Sequence, residues 1–312
     1  MSIDAPLFLE PHVKTTRWGD GQLLKEFGVE MSGVLPDSGE VWLVSDYPGR
    51  ESRIKHDPEN RNLADLMKSH GAFILGDSYE DGADFPLIIK FLMIGGRLSV
   101  QVHPDGESAR QLELSDRGKH EAWWILGARP EASIYFDLNG HYEESQLSDA
   151  ISEDRFQEYL NLIIPKSNDY FDIPPGTFHA GGNGLFLLEV QERCDVTLRV
   201  YDWGNKETEL HVEQALEIGV SARRKKESAL ALSNAPFEMS CLDLRTGQTE
   251  TVGDRNGVEA IVVSRGQATL QFGKKQFLLK AGDTTIWPAA LKEGQISTEC
   301  GASILRTFPR NR

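Results

Sequence analysis

Four residues of this chain bring together an amide oxygen, two imidazoles and a carboxylate. Gln101 and His103 lie in Gln101-Val-His103-Pro-Asp, Glu121 closes Lys119-His-Glu121, and His179 ends Pro174-Pro-Gly-Thr-Phe-His179. A mixed nitrogen and oxygen set of this kind holds a divalent metal, and it suits zinc or another first-row ion better than calcium, which prefers all-oxygen shells. Within Arg97-Leu-Ser-Val-Gln-Val-His103, strand alternation sends Gln101 and His103 to one face and Val100 and Val102 to the other. Ser99 shares the face of Gln101 and His103, and Lys119 shares that of Glu121, so each can offer a donor to a substrate oxygen. An isolated strand histidine is usually a satisfied or surface residue, and His12, His56, His70, His120, His141 and His211 read that way. Amides bind zinc weakly, so the other reading of Gln101 is as a group that orients a ligand or a water.

A second constellation follows. Asp195, Thr197, Arg199 and Tyr201 recur at period two, with Val196, Leu198 and Val200 on the opposite face of the expected strand. By itself this is also the pattern of a solvent-facing strand. The preceding run, Leu185-Phe-Leu-Leu-Glu189-Val-Gln191, puts Glu189 and Gln191 in an otherwise apolar segment, which fits the wall of a polar cavity better.

The elements that must carry these residues are short, rich in Val, Ile, Thr and aromatics, and punctuated by Gly and Pro, the texture of a sandwich or jelly roll. Three helices are expected. One begins at Asp57-Pro58 and runs to His70, stopping at Gly71; one covers about 143–164 before Pro165; one covers roughly 211–218. The charged stretch Ser221-Ala-Arg-Arg-Lys-Lys-Glu-Ser-Ala229 reads as an interdomain linker. The runs Val258 to Phe272 and Leu278 to Ala289 carry the strand, turn, strand pattern of a second jelly roll. The expected architecture is therefore mainly β, with a metal-binding domain at 1–235 containing the helical insertions and a smaller one at 236–312. All eight histidines lie at or before His211, so the second domain is expected to be structural.

Five ordered blocks resemble the signatures of the type I mannose-6-phosphate isomerases, in their short bacterial form. They are Phe85-Pro-Leu-Ile-Ile-Lys90, Leu98 to Asp105, Gly118 to Leu126, Pro175-Gly-Thr-Phe-His179, and Glu189-Val-Gln191 followed by Arg199-Val-Tyr-Asp-Trp-Gly204. The resemblance implies two cupin-type jelly rolls and an enzyme that interconverts mannose 6-phosphate and fructose 6-phosphate, with one zinc or other divalent ion per chain on Gln101, His103, Glu121 and His179. It implies that Glu189, Asp195 and Arg199 line the active site and that Lys90 is an active-site lysine. Lys90, Ser99 and Lys119 are accordingly the candidate substrate contacts. Arg199 is the candidate for charge stabilisation, and Asp195, then Glu189, the candidate base. Two departures from the family pattern stand out. Asn205 occupies a position where the family commonly has a basic residue, and Gly39-Glu-Val-Trp-Leu-Val-Ser45 replaces the usual Gly-Glu-Ser-Trp-Glu-Ile-Ser. An isomerase of another sugar, an iron oxygenase and a non-catalytic sugar-binding cupin remain open alternatives.

Bulk composition is compatible with these expectations. The 312 residues hold 33 Lys and Arg against 48 Asp and Glu, a net charge of -15, which argues against nucleic-acid or anionic-membrane partners. An anionic sugar phosphate then needs a local cluster of positive charge. Three widely spaced cysteines without a CxxC argue against a disulfide framework and favour a reducing compartment, and the absence of a long apolar run favours a cytoplasmic protein. Whether it is a monomer or a homodimer is left open by the sequence.

Overall fold

The computed structural model describes residues 3–114, 117–228 and 235–310. It is mainly β, built from antiparallel sheets of nine, six and five strands. Among the described residues, no helix is long and apolar enough to cross a membrane.

The six-stranded sheet is the middle layer. Its central strands, Ser38–Val44, Leu87–Ile94 and Leu185–Glu192, are almost entirely buried, because both of their faces are covered. The alternation along Leu185–Glu192 shows how. Leu185 and Leu187 join Trp123 and Ile125 in a core shared with Ile134 of the five-stranded sheet and with Leu98, which leads into its strand Val100–Val102. Phe186, Leu188 and Val190 point the other way, into a core with Leu9, Ile286 and Leu305 of the nine-stranded sheet. Glu189 and Gln191 therefore continue the Leu185 and Leu187 face, toward the five-stranded sheet. The outer face of that smaller sheet is closed by helices Glu144–Ser152 and Val212–Ser228, through Leu147, Ala150, Ala215 and Leu216 on Val100, Val102, Ala180 and Val200.

Chain order and sheet membership part company at the N-terminus. Strand Leu7–Glu10 pairs with Thr284–Trp287 and with Arg53–Ile54, so a segment from the 1–235 region adds to the sheet of the C-terminal strands. That C-terminal unit has its own interior around Ile261, Leu270, Trp287, Ile296 and Ile304.

Several local expectations are corrected. The first long helix spans Leu63–Leu75 rather than starting at Asp57. Asn62 and Asp65 form a reciprocal capping box there, whereas the Asp57 carboxylate is engaged by the backbone and guanidinium of Arg61. The expected stop is a kink rather than an end: His70, at φ -144° and ψ 24°, is non-helical, and the chain resumes a helical course through Gly71 to Leu75. A Cβ at Gly71 would lie 2.7 Å from the carbonyl oxygen of Glu80, so the glycine permits a close approach of chain to helix. The expected 143–164 helix is a helix only over Glu144–Ser152; a 3₁₀ turn, Phe156–Tyr159, and an edge strand, Leu160–Ile163, complete it. Asp154 at φ 58° breaks the run, and Asn161 ties the strand to the carbonyl of Phe136. The third helix extends to Ser228, so most of the expected linker is helical; Ala229 lies outside the described residues. Glu259–Phe272 is one long strand that runs through Gly266, at φ 75°, beside a register shift between Val263 and Arg265, and the turn before the second run falls at 273–274, ahead of strand Lys275–Lys280.

Candidate metal centre and active site

Strand register sets the candidate residues side by side. In the five-stranded sheet, Gln101 is paired with His179 on one neighbour and Arg199 on the other. In the facing six-stranded sheet, Lys90 is paired with Trp42 and Glu189, Glu189 with Trp123, and Gln191 with Glu121. Two lateral rows of polar side chains thus meet between the sheets.

His103, Glu121 and His179 converge, each offering one atom within 4.8 Å of the others, and all three are buried. Nε2 of His179 lies 2.9 Å from Oε1 of Glu121, and Nε2 of His103 lies 3.4 Å from Oε2. The opposite nitrogens are fixed from behind. Nδ1 of His103 is 2.9 Å from the carbonyl of Val196, and Nδ1 of His179 is 2.9 Å from that of Thr177. Carbonyls accept only from an N–H, so both Nε2 atoms are left with free lone pairs directed at the carboxylate. Nε2 of His103 has no hydrogen-bond partner, and neither oxygen of Glu121 has a well-aligned one, although Nζ of Lys119 is 2.8 Å from Oε2. Buried polar atoms are rarely left this way, and a cation among them resolves the deficit. The amide nitrogen of Gln101 lies 3.1 Å from Nε2 of His179; half a turn of the amide presents its oxygen there instead. These residues fit a divalent ion with two imidazoles, a carboxylate and an amide.

The electrostatics favour ligand forms. Burial, reinforced by the charge of Lys119, pushes the His103 imidazole down to about 3, so it is neutral. Burial opposes ionisation of Glu121, but the Lys119 ammonium 2.8 Å away outweighs it and holds the carboxyl well below its usual range. Burial likewise opposes the charge on Lys119, and Glu121, Glu189 and Asp195 outweigh it, raising that ammonium above its ordinary value.

Above the cluster opens a cavity of about 600 Å³, lined in part by Lys90, Ser99, Gln101, Lys119, Glu189, Asp195 and Arg199. All ten residues singled out from the sequence therefore belong to the cluster or to the cavity beside it. Their settings differ. Glu189 is buried and engaged at both oxygens, by the indole N–H of Trp123 at 3.1 Å and by Nζ of Lys90 at 3.0 Å. Asp195 is exposed in the segment before strand Leu198–Tyr201, and among the described residues no hydrogen bond or ion pair engages it. Tyr201 departs from the expected face. A register shift between Arg199 and Tyr201 turns it into the core against Phe156, where its hydroxyl donates to Oδ1 of Asp154 at 2.7 Å.

Some supporting residues were not read from the sequence. Lys90 sits 4.3 Å over the ring of Trp42 and donates to Oε1 of Gln191 at 2.7 Å. The Trp42 indole donates to Glu40, which also binds Lys14, both at 2.8 Å. The alternation Glu40, Trp42 in the departing Gly39 to Ser45 block was the available signal. His211 braces Arg199: its amide donates to the Arg199 carbonyl at 2.7 Å, and its Nδ1 accepts from the Arg199 amide at 3.3 Å. His120 turns away from Glu121, as expected, onto Asp172 at 2.7 Å. Asp105, next to His103, caps the helix Gly106–Gln111.

The profile of the phosphomannose isomerase type I catalytic domain matches residues 7–123. A mannose-6-phosphate isomerase of Streptococcus mutans is 30% identical over 306 residues, covering 93% of this chain and 94% of that protein. The mannose-6-phosphate isomerase ManA of Bacillus subtilis is 32% identical over 218 residues, 68% of this chain and 67% of its own length. Among solved structures, the crystal structure of the mannose 6-phosphate isomerase from Bacillus subtilis superposes with a TM-score of 0.82 at 25% identity, covering 98% of this chain and 100% of that one.

Proposed function

The chain belongs to the type I phosphomannose isomerases, and from that premise we propose that it interconverts mannose 6-phosphate and fructose 6-phosphate using one divalent ion, zinc, on His103, Glu121, His179 and Gln101. The observation that carries this reading is the convergence of two Nε2 lone pairs on a buried carboxylate, at a cavity that also holds Lys90, Lys119 and Arg199. Three free cysteines, Cys194, Cys241 and Cys300, support a cytoplasmic setting.

The reaction moves a proton between C1 and C2 of the open-chain sugar through an enediolate. A bound divalent ion supplies Lewis-acid polarisation of the substrate oxygens. Arg199, beside Gln101 in register, presents planar donors to the negative charge that develops on those oxygens. Asp195, exposed to the cavity and engaged by no hydrogen bond or ion pair among the described residues, takes and returns the proton. Glu189 is the second choice for that role, since both of its oxygens are already engaged; it anchors Lys90. Ser99 and Lys119 donate to sugar hydroxyls at the cavity wall.

A coupled assay with mannose 6-phosphate, fructose 6-phosphate and glucose 6-phosphate, with and without chelator, tests the proposal. The expected result is turnover of the first two alone, lost on chelation and restored by zinc. Turnover that survives complete metal removal would exclude the metal, and equal turnover of glucose 6-phosphate would exclude the substrate assignment.

A further inference from the structure

The cavity holds six cations, and the structure distributes them unevenly. Three are matched to carboxylates at 3.0 Å or less, Lys14 to Glu40 at 2.8 Å, Lys90 to Glu189 at 3.0 Å, and Lys119 to Glu121 at 2.8 Å, whereas Arg17 meets a carboxylate, Glu207, only at 3.5 Å and at the exposed rim. Arg199 lies beside Gln101 at the reacting end. That leaves Arg17 and Arg97, both exposed. They stand on neighbouring segments, because the carbonyl of Trp18 accepts from the amides of Gly95 and Gly96 at 3.0 and 2.9 Å.

Arg17 reaches across to the turn that follows Asp202. Its Nη2 donates to Oγ1 of Thr208 at 3.2 Å, and its Nη1 lies 3.5 Å from Glu207. Asn205, in that same turn, carries no charge, and its amide is spent on Asp202 at 2.9 Å and Thr208 at 3.0 Å. Arg97 is differently placed, its guanidinium stacked 5.0 Å from the ring centre of Trp203 and its Nε directed at Asn183.

We infer that Arg17 is the phosphate-reading residue of this chain, receiving the substrate's terminal phosphate at the cavity rim beside Thr208. This rests on the reading of the site as a sugar-phosphate isomerase. With C1 and C2 held at the metal-binding cluster, a six-carbon chain projects its phosphate outward, away from the reacting end. The side chains of Arg17 and Glu207 are 68% and 85% exposed, so their long contact is weak and screened, and a dianion offering two oxygens to the guanidinium fork displaces it. Thr208, already within reach of Arg17, adds a hydroxyl donor. The neutral, self-satisfied Asn205 then needs no part in charge recognition.

The test combines steady-state kinetics with calorimetric titration of inorganic phosphate, on wild type, Arg17→Ala, Arg97→Ala and Arg53→Ala. Arg53 is an exposed arginine on strand Arg53–Ile54, outside the cavity lining, and controls for the change in net charge. Arg17→Ala is expected to raise the KM for mannose 6-phosphate and the Kd for phosphate about tenfold or more, with a smaller effect on kcat and none on metal content. Arg53→Ala should move neither constant. Unchanged phosphate affinity in Arg17→Ala overturns the inference, as does a loss confined to Arg97→Ala. If the wild type fails to turn over mannose 6-phosphate, the isomerase reading fails separately. The titration still decides Arg17, since a wild type that binds no phosphate also overturns the inference.

Discussion

Replacing a carboxylate by its amide at Glu189 and at Asp195 makes the same chemical change in two settings, and opposite readouts are expected. The side chains of Glu189 and Lys90 are 4% and 5% exposed and 3.0 Å apart. Glu189→Gln leaves a buried ammonium without its paired charge, facing only neutral amide oxygens at positions 189 and 191, and breaking one side of a buried pair costs about 3–5 kcal/mol. At about 2–4 °C per kcal/mol for chains of this general size, the melting temperature should fall on the order of 10 °C. Asp195 is exposed and, among the described residues, in no hydrogen bond or ion pair, so Asp195→Asn should change stability by less than about 0.5 kcal/mol. If Asp195 is the base, that variant loses about 10²–10⁴ in rate, because the amide cannot accept the proton. Calorimetric melting of both variants, alongside proton NMR of deuterium incorporation at C2 in heavy water, separates the two effects. Near-normal C2 exchange in Asp195→Asn refutes the base assignment. A Glu189→Gln protein that melts like wild type yet has lost exchange moves the base to Glu189 and shows that the buried pair contributes little.

Two further outcomes are expected. His103→Ala and His179→Ala should each lose the bound metal while keeping the fold, as read by elemental analysis and circular dichroism; full occupancy in both would remove the metal centre. Asp57, whose carboxyl is held down at about 2 chiefly by the Arg61 guanidinium, contributes stability above its unfolded value near 4 that is lost as pH falls toward 2. Asp57→Asn should therefore cost about 1 kcal/mol at neutral pH, with the difference from wild type closing between pH 4 and 2 in denaturant melts.

What could be read from the sequence was what depends on spacing along one strand. Gln101 and His103 at period two, and Glu189 and Gln191 inside an apolar run, fix which face each side chain takes, and the sheets keep those faces. Residues that support the site from another strand left weaker traces. Trp42 and Glu40 act on Lys90 only because strand Ser38–Val44 lies beside Leu87–Ile94, a neighbour relation that periodicity does not encode. The pairing of Leu7–Glu10 with Thr284–Trp287 spans almost the whole chain and has no local signature at all.

The misread elements share a cause of a different kind, competition between adjacent local signals. Asp57-Pro58 and Asn62 with Asp65 are both helix starts, and only the second pair closes a reciprocal box, so the earlier signal becomes a turn bound by Arg61. Gly71 reads as a helix stop, yet it follows a kink at His70 and lets a neighbouring segment approach closely while the helix continues to Leu75. At Tyr201 a register shift, one residue past Arg199, separates a cavity residue from a core residue. Strict period two would have turned a bulky phenol toward the sugar. Instead Tyr201 braces the far side of the sheet through Asp154, and Arg199 alone of the two remains at the cavity, held by His211 from the start of the next helix. The bulge is thus where this strand stops serving the site and starts serving the core.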